Sequence, residues 1–181
     1  MVKLTISPSL RFVSPTGESY PDWLSLPLAA LGEWGRSGDL SKEDISQSGN
    51  PCLLYGELYT RYNDYATPLL DFSLTSQKEG LRVSSADDVV IPKSGETRDQ
   101  IATALAVLKD GVAYGGDLIV LRTNVLAEPS YIAHQIKYGR VKKKVQSRGQ
   151  GETVVHLSER HLGDIEVPLP SRPGQQKIGC F

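Results

Sequence analysis

Cysteine is scarce in this chain. Its 181 residues hold two, Cys52 and Cys180, far apart in sequence. With no secretory signal beside them, they read as free thiols in a reducing cytoplasm and not as a disulfide framework. Long apolar runs are missing as well. Residues 1–6 carry no run of signal-peptide length, and no stretch approaches the roughly 18 apolar residues of a membrane span, so the expectation is a cytoplasmic protein with no membrane partner. An excess of charge of one sign is also lacking. The net charge is −1, so any surface for a polyanion must be local.

Several chemical signatures are absent too. No Gly-x-Gly-x-x-Gly follows a strand, which leaves a dinucleotide or methyl-donor site of that design unsupported. No phosphate loop with Gly-Lys-Ser/Thr occurs. No Glu-x-Lys or Asp-x-Lys, the ending typical of a metal-dependent nuclease site, is found anywhere in the chain. His134, His156 and His161 do not stand at zinc spacing with the cysteines. Asp87-Asp88, an adjacent acidic pair, reads as a strand-entry turn, and Ser158 reads as a helix N-cap beside solvated histidines. The expectation is a chain without catalytic residues, cofactor or metal.

What is present suits one soluble domain: 39% hydrophobic residues, 23% charged, and enough length for a real core. Residues 7–23 read as a Pro/Ser/Gly-rich arm leading to Trp23. Residues 25–31 suggest a short helix capped by Ser25 with Pro27 in its first turn. Residues 35–51 read as a loop with a small helical turn at 42–44. Strands are expected at 51–55, 88–92, 112–114, 118–121, 153–155 and 165–170, with a turn at 115–117 joining two of them. Residues 99–106 fit a short helix or a strand entry, and helix is preferred. Pro129 opens a helix that Gly139 interrupts, after which Val141 and Val145 resume the i, i+4 spacing. Ser158 to His161 reads as a helical turn. Short strands mixed with short helices predict an α+β fold with an irregular mixed sheet.

Three features suit nucleic acid. Residues 137–148 hold Lys137, Arg140, Lys142, Lys143, Lys144 and Arg148 and no acid. The two valines would pin one face and leave the lysines to phosphates, where affinity comes largely from counterion release. Tyr55, Tyr59, Arg61, Tyr62 and Tyr65 cluster aromatic and guanidinium groups. The polar loop Lys93-Ser94-Gly95-Glu96-Thr97-Arg98 offers donors and acceptors to base edges, with Arg98 able to meet guanine in a bidentate contact. The expected DNA contacts are therefore Arg61, Tyr62, Lys93, Ser94, Thr97, Arg98, Lys142, Lys143, Lys144 and Arg148, with Gln150 and Thr153 in the following loop. A different class of reading makes the basic segment a protein–protein docking module for an acidic partner.

The order of several short pieces resembles the specificity subunit of type I restriction–modification systems. Leu10-Arg11-Phe12, Trp23 and Leu31-Gly32-Glu33 look like that family's entry into its first recognition domain. Gly38-Asp39-Leu40-Ser41-Lys42-Glu43-Asp44-Ile45 is similar to the loop that follows. Leu54-Tyr55-Gly56-Glu57-Leu58-Tyr59 resembles its strand-and-turn, and Ala86-Asp87-Asp88-Val89-Val90-Ile91 a segment usually written with Gly-Asp. The fullest piece runs from His156-Leu157 through Leu162-Gly163-Asp164-Ile165-Glu166-Val167-Pro168-Leu169-Pro170 to Gln175-Gln176-Lys177-Ile178, with Gln175 where Glu is usual. The resemblance implies a target-recognition domain over residues 1–172 and the truncated start of a spacer helix over 173–181. It implies a non-catalytic reader of half of a bipartite double-stranded DNA target. Its partners would be methyltransferase subunits and, through the complex, a motor–nuclease subunit.

Overall fold

A computed structural model describes residues 16–17, 22–64, 66–68, 71–77 and 79–179. Most of the N-terminal arm with Leu10-Arg11-Phe12, and Tyr65 and Cys180, lie outside these residues. The first half holds β1 (Leu24–Pro27), β2 (Gly32–Gly35), β3 (Ile45–Ser46), β4 (Asn50–Leu53), α1 (Glu57–Thr60), β5 (Ser73–Thr75) and β6 (Asp88–Pro92). The middle adds β7 (Ser94–Gly95), α2 (Arg98–Ile101), β8 (Leu105–Ala106), β9 (Ala113–Tyr114) and β10 (Leu118–Thr123). The rest holds α3 (Pro129–Lys137), α4 (Val141–Arg148), β11 (Val155–His156), α5 (Glu159–Leu162), β12 (Glu166–Leu169) and α6 (Arg172–Gly179).

The apolar run of β6 is buried along its whole length. Its partner β10 lies antiparallel to it, and together with β2 and β8 they form the central sheet in the order β2-β10-β6-β8. Alternation along a strand sends neighbouring side chains to opposite faces. Val89, Ile91, Ile119 and Leu121 pack with Tyr131, Ile132 and Ile136 of α3 and with Val141 and Val145 of α4. Val90, Leu118 and Val120 pack the other face against Leu53, Leu58, Tyr62 and Tyr114. A sheet buried on both sides explains why these strands read as continuous apolar runs. A second sheet, β3-β5-β4-β9, contains one parallel pairing, between β4 and β9. The architecture is α+β with several small sheets, as the sequence predicts.

Three local expectations change. Residues 25–31 are not one helix. Ser25 and Pro27 lie in β1, which pairs with β12, and Ser25 Oγ donates to Glu166 Oε2 at 2.7 Å. Only Leu28–Ala30 remain helical, as a 3₁₀ turn. Distant strand pairing overrides the local capping signal here. The strands at 112–114 and 118–121 do not form a hairpin: β9 joins the second sheet and β10 the central one. Residues 99–106 split, the first part helical in α2 and the last part strand β8. No helix among the described residues is long and apolar enough to cross a membrane.

Candidate nucleic-acid interface

The loop after β6 and the basic helix α4 meet in space. Thr97 caps α2, its Oγ1 accepting from the Gln100 amide at 3.1 Å. That cap aims α2 at α4, where Asp99 takes both Lys142 Nζ and Gln146 Nε2 at 2.9 Å. Arg98 Nη1 donates to the carbonyls of Gln146, at 3.2 Å, and Gly149. It adds a charged donor to carbonyls at the end of α4. Gly149 sits where a Cβ would strike Ile101 of α2 at 2.4 Å and Val155 of β11 at 2.6 Å, so only glycine lets the three segments close.

The next segment turns back on itself. Gln150 and His156 exchange both backbone hydrogen bonds, at 3.0 and 2.7 Å. Val155 and His156 pair with Gly95 and Ser94 in a two-stranded sheet. The tip, residues 151–154, is exposed and includes Thr153. Tyr59 ties α1 to the same place, its hydroxyl donating to Ser94 O at 2.5 Å. Lys93, Ser94, Thr97, Arg98, Lys142, Lys143, Lys144, Arg148, Gln150 and Thr153 thus lie on three adjoining segments, although up to 60 residues separate them in sequence.

The charges within this cluster differ. Lys142 pairs with Asp99, and Arg148 Nη2 meets Asp164 Oδ2 at 2.7 Å. Both pairs are well exposed, so each contributes only about 0–1 kcal/mol and yields readily to a phosphate. Lys93 lies 3.9 Å from Glu159. Lys144 Nζ donates to the neutral Glu166 carbonyl at 2.9 Å, and Arg98 likewise contacts carbonyls, so among the described residues neither cation is neutralised. Lys143 is exposed and makes no ion pair among the described residues.

Two expected contacts fall elsewhere. Tyr62 is fully buried, and its hydroxyl donates to Asp71 O at 3.3 Å, so its ring belongs to the core and offers nothing to a ligand. Burial pushes its phenol up to about 12. Arg61 turns toward the same segment, donating to Ser73 Oγ at 3.3 Å and to the Asp71 carbonyl. Arg98 also changes role: the guanidinium expected to meet guanine already brackets the end of α4. Among the described residues, no group of His, Cys, Asp and Glu stands ready to hold a metal. Cys52 is a buried free thiol, pushed up to about 11 by burial and by nearby Glu57 and Asp44.

Sequence reasoning missed Asp88 and the arginines around it. The strand-entry turn expected at Asp87-Asp88 is present, but Asp88 is fully buried where β6 begins. It accepts Arg122 Nε at 2.8 Å and Nη2 at 3.1 Å, the Tyr114 hydroxyl at 3.0 Å and the Ser85 amide at 2.9 Å. Those contacts hold the Arg122 guanidinium above its usual range, mainly through the Asp88 hydrogen bonds. Burial, and Asp88 beside it, push the Tyr114 phenol far up. A groove of about 380 Å³ opens beside this network, with Trp34, Arg36, Arg82 and Arg122 in its lining. The three arginines are widely separated in sequence, so no local charge run announces them.

This α+β arrangement is one already seen in restriction–modification systems. The S subunit of the type I system from M. genitalium matches with a TM-score of 0.64 at 13% identity, over 97% of this chain and 40% of its own. A chain from a structure describing assembly and conformational transition of the type I R-M system matches at 0.60 and 16%, over 93% and 39%. The HsdS subunit from Thermoanaerobacter tengcongensis gives 0.57 and 14%, over 92% and 38%. The chain therefore has the fold of a single-domain part of a type I specificity subunit, and spans about two fifths of the length of these structures. No protein-family model and no curated protein sequence matches it.

Proposed function

We propose that this chain reads one half of a bipartite DNA target as the specificity component of a type I restriction–modification assembly. The carrying observation is the fold, shared with specificity subunits over 92–97% of the chain. The convergence of the Lys93–Arg98 loop, α4 and the 150–156 turn into one cationic surface supports it. In this reading α4 meets phosphates, which position the protein, and the exposed tip with Gln150 and Thr153 meets base edges, which carry sequence. Methylation and cleavage belong to partner subunits in the cytoplasm. Residues up to 172 form the recognition domain, and the rest of α6 from residue 173 starts the spacer helix.

The test is selection from a random duplex pool by this chain assembled with type I methyltransferase subunits. One short half-site should be enriched. Recovery of DNA without enrichment overturns the reading. The chain alone should neither transfer a labelled methyl group nor cut DNA with magnesium, and turnover by a clean preparation would refute its non-catalytic role.

A further inference from the structure

The arginine groove lies away from the surface assigned to DNA. In β10, Leu118 pairs with Pro92, beside the Lys93 loop, whereas Arg122 pairs with Asp88 at the far end of the same strands. Four residues of strand separate the two, about 13 Å. Its walls come from the edge strand β2, from residues 81–83 and from β10.

Its lining is partly apolar. Leu81 is half-buried, Val83 is 48% exposed, and Val120 forms a buried floor. Three guanidiniums stand over that surface. Asp88 engages Nε and Nη2 of Arg122, which fixes the group and leaves Nη1 without a hydrogen bond among the described residues. Arg36 and Arg82 are exposed, and neither side chain has a hydrogen bond or ion pair among the described residues. Arginine forks match carboxylates and phosphates alike, so shape and apolar content decide between them. A duplex presents a convex, fully polar backbone, which suits protruding lysines better than a recess bearing Leu81 and Val83. An extended peptide with carboxylates beside apolar side chains satisfies both kinds of wall.

We propose that this groove docks an acidic, apolar-interrupted segment of a partner protein, independently of the DNA-reading surface. The test uses the full chain and a fluorescein-labelled, end-blocked Glu-Leu-Glu-Leu-Glu-Leu peptide, read by anisotropy. Saturable binding is expected, weakened by salt and lost when the peptide's Glu residues become Gln. The double substitution Arg36→Ala, Arg82→Ala should weaken it about tenfold or more, near 1.4 kcal/mol. Both side chains are exposed, and an unchanged circular dichroism spectrum confirms the fold. Lys143→Ala should leave peptide binding intact, which separates this groove from α4. No saturable binding, or binding indifferent to the double substitution, overturns the proposal. Displacement of the peptide by random duplex DNA also overturns it and makes the groove a nucleic-acid surface. Half-site enrichment by a complex carrying the double variant reports on DNA reading separately.

Discussion

Lys137 is a cation held almost entirely out of water, 5% exposed. Its Nζ donates to the Tyr62 carbonyl at 2.7 Å and lies 5.9 Å from the Tyr138 ring centroid. Burial pushes it from 10.5 down to about 8, against a smaller opposing pull from Asp64. A depressed folded value means that the folded state resists the charge the unfolded chain accepts. The penalty is complete below about pH 8 and fades as pH rises toward 10.5. The depression corresponds to roughly 3 kcal/mol. Wild type should therefore gain on Lys137→Met by up to that amount between pH 7 and pH 10, in urea unfolding. A pH-independent difference would refute this. Gln175 poses a different constraint. Its Nε2 donates to the carbonyls of Leu126 and Pro170, and its Oε1 accepts from the Glu128 amide. A carboxylate there keeps the acceptor and loses both donors. Gln175→Glu should cost about 1–3 kcal/mol at neutral pH, measured by the urea midpoint.

At the scale of elements, α4 is held by its neighbours more than by its own sequence. Two buried valines, the Asp99 contacts and the Arg98 bracket fix an eight-residue helix too short to persist alone. Gly149 is the tightest joint. Gly149→Ala must push Ile101 or Val155 aside and should cost about 1–3 kcal/mol by overpacking. The loss should appear in thermal unfolding, and an unshifted midpoint would contradict the packing account. Arg98→Ala loosens the same joint without removing a base contact. It should weaken matched and mismatched duplexes equally in the assembled complex. Substitution of Gln150 or Thr153 should instead weaken the matched duplex selectively. Base-dependent loss on Arg98→Ala would restore the guanine contact predicted from sequence.

For the whole molecule, a net charge of −1 conceals a cationic surface whose strength depends on which cations are neutralised nearby. Lys143 makes no ion pair among the described residues, whereas Lys142 shares its charge with Asp99. Lys143→Ala should lower the dependence of log affinity on log salt by roughly 0.9 in the complex, and Lys142→Ala by less. An unchanged slope for Lys143→Ala would make α4 a solvated face only.

Periodicity made much of the framework legible in the sequence. Val89-Val90-Ile91 and Leu118 to Leu121 could be little other than buried strands, Pro129 and Gly139 marked where helices begin and break, and Val141 with Val145 set which face of α4 turns inward. Those signals are local: they depend on spacing within one segment and on which backbone angles a residue permits. Pairing between distant segments carries no such signal. Ser25 looked like a cap until β12 took it into a strand. Tyr62 looked like a contact residue until two sheets closed over it. Asp88 became the anchor of Arg122 only when β6 and β10 came into register. Arg36, Arg82 and Arg122 became one groove for the same reason. The sequence by itself determined the buried strands β6 and β10, the limits of α3 and the inward face of α4, because those follow from short-range sterics and hydrophobic period. The tertiary structure alone decided which charges are spent and which remain for a ligand, because an ion pair or a bracketed carbonyl depends on distance in space, not along the chain.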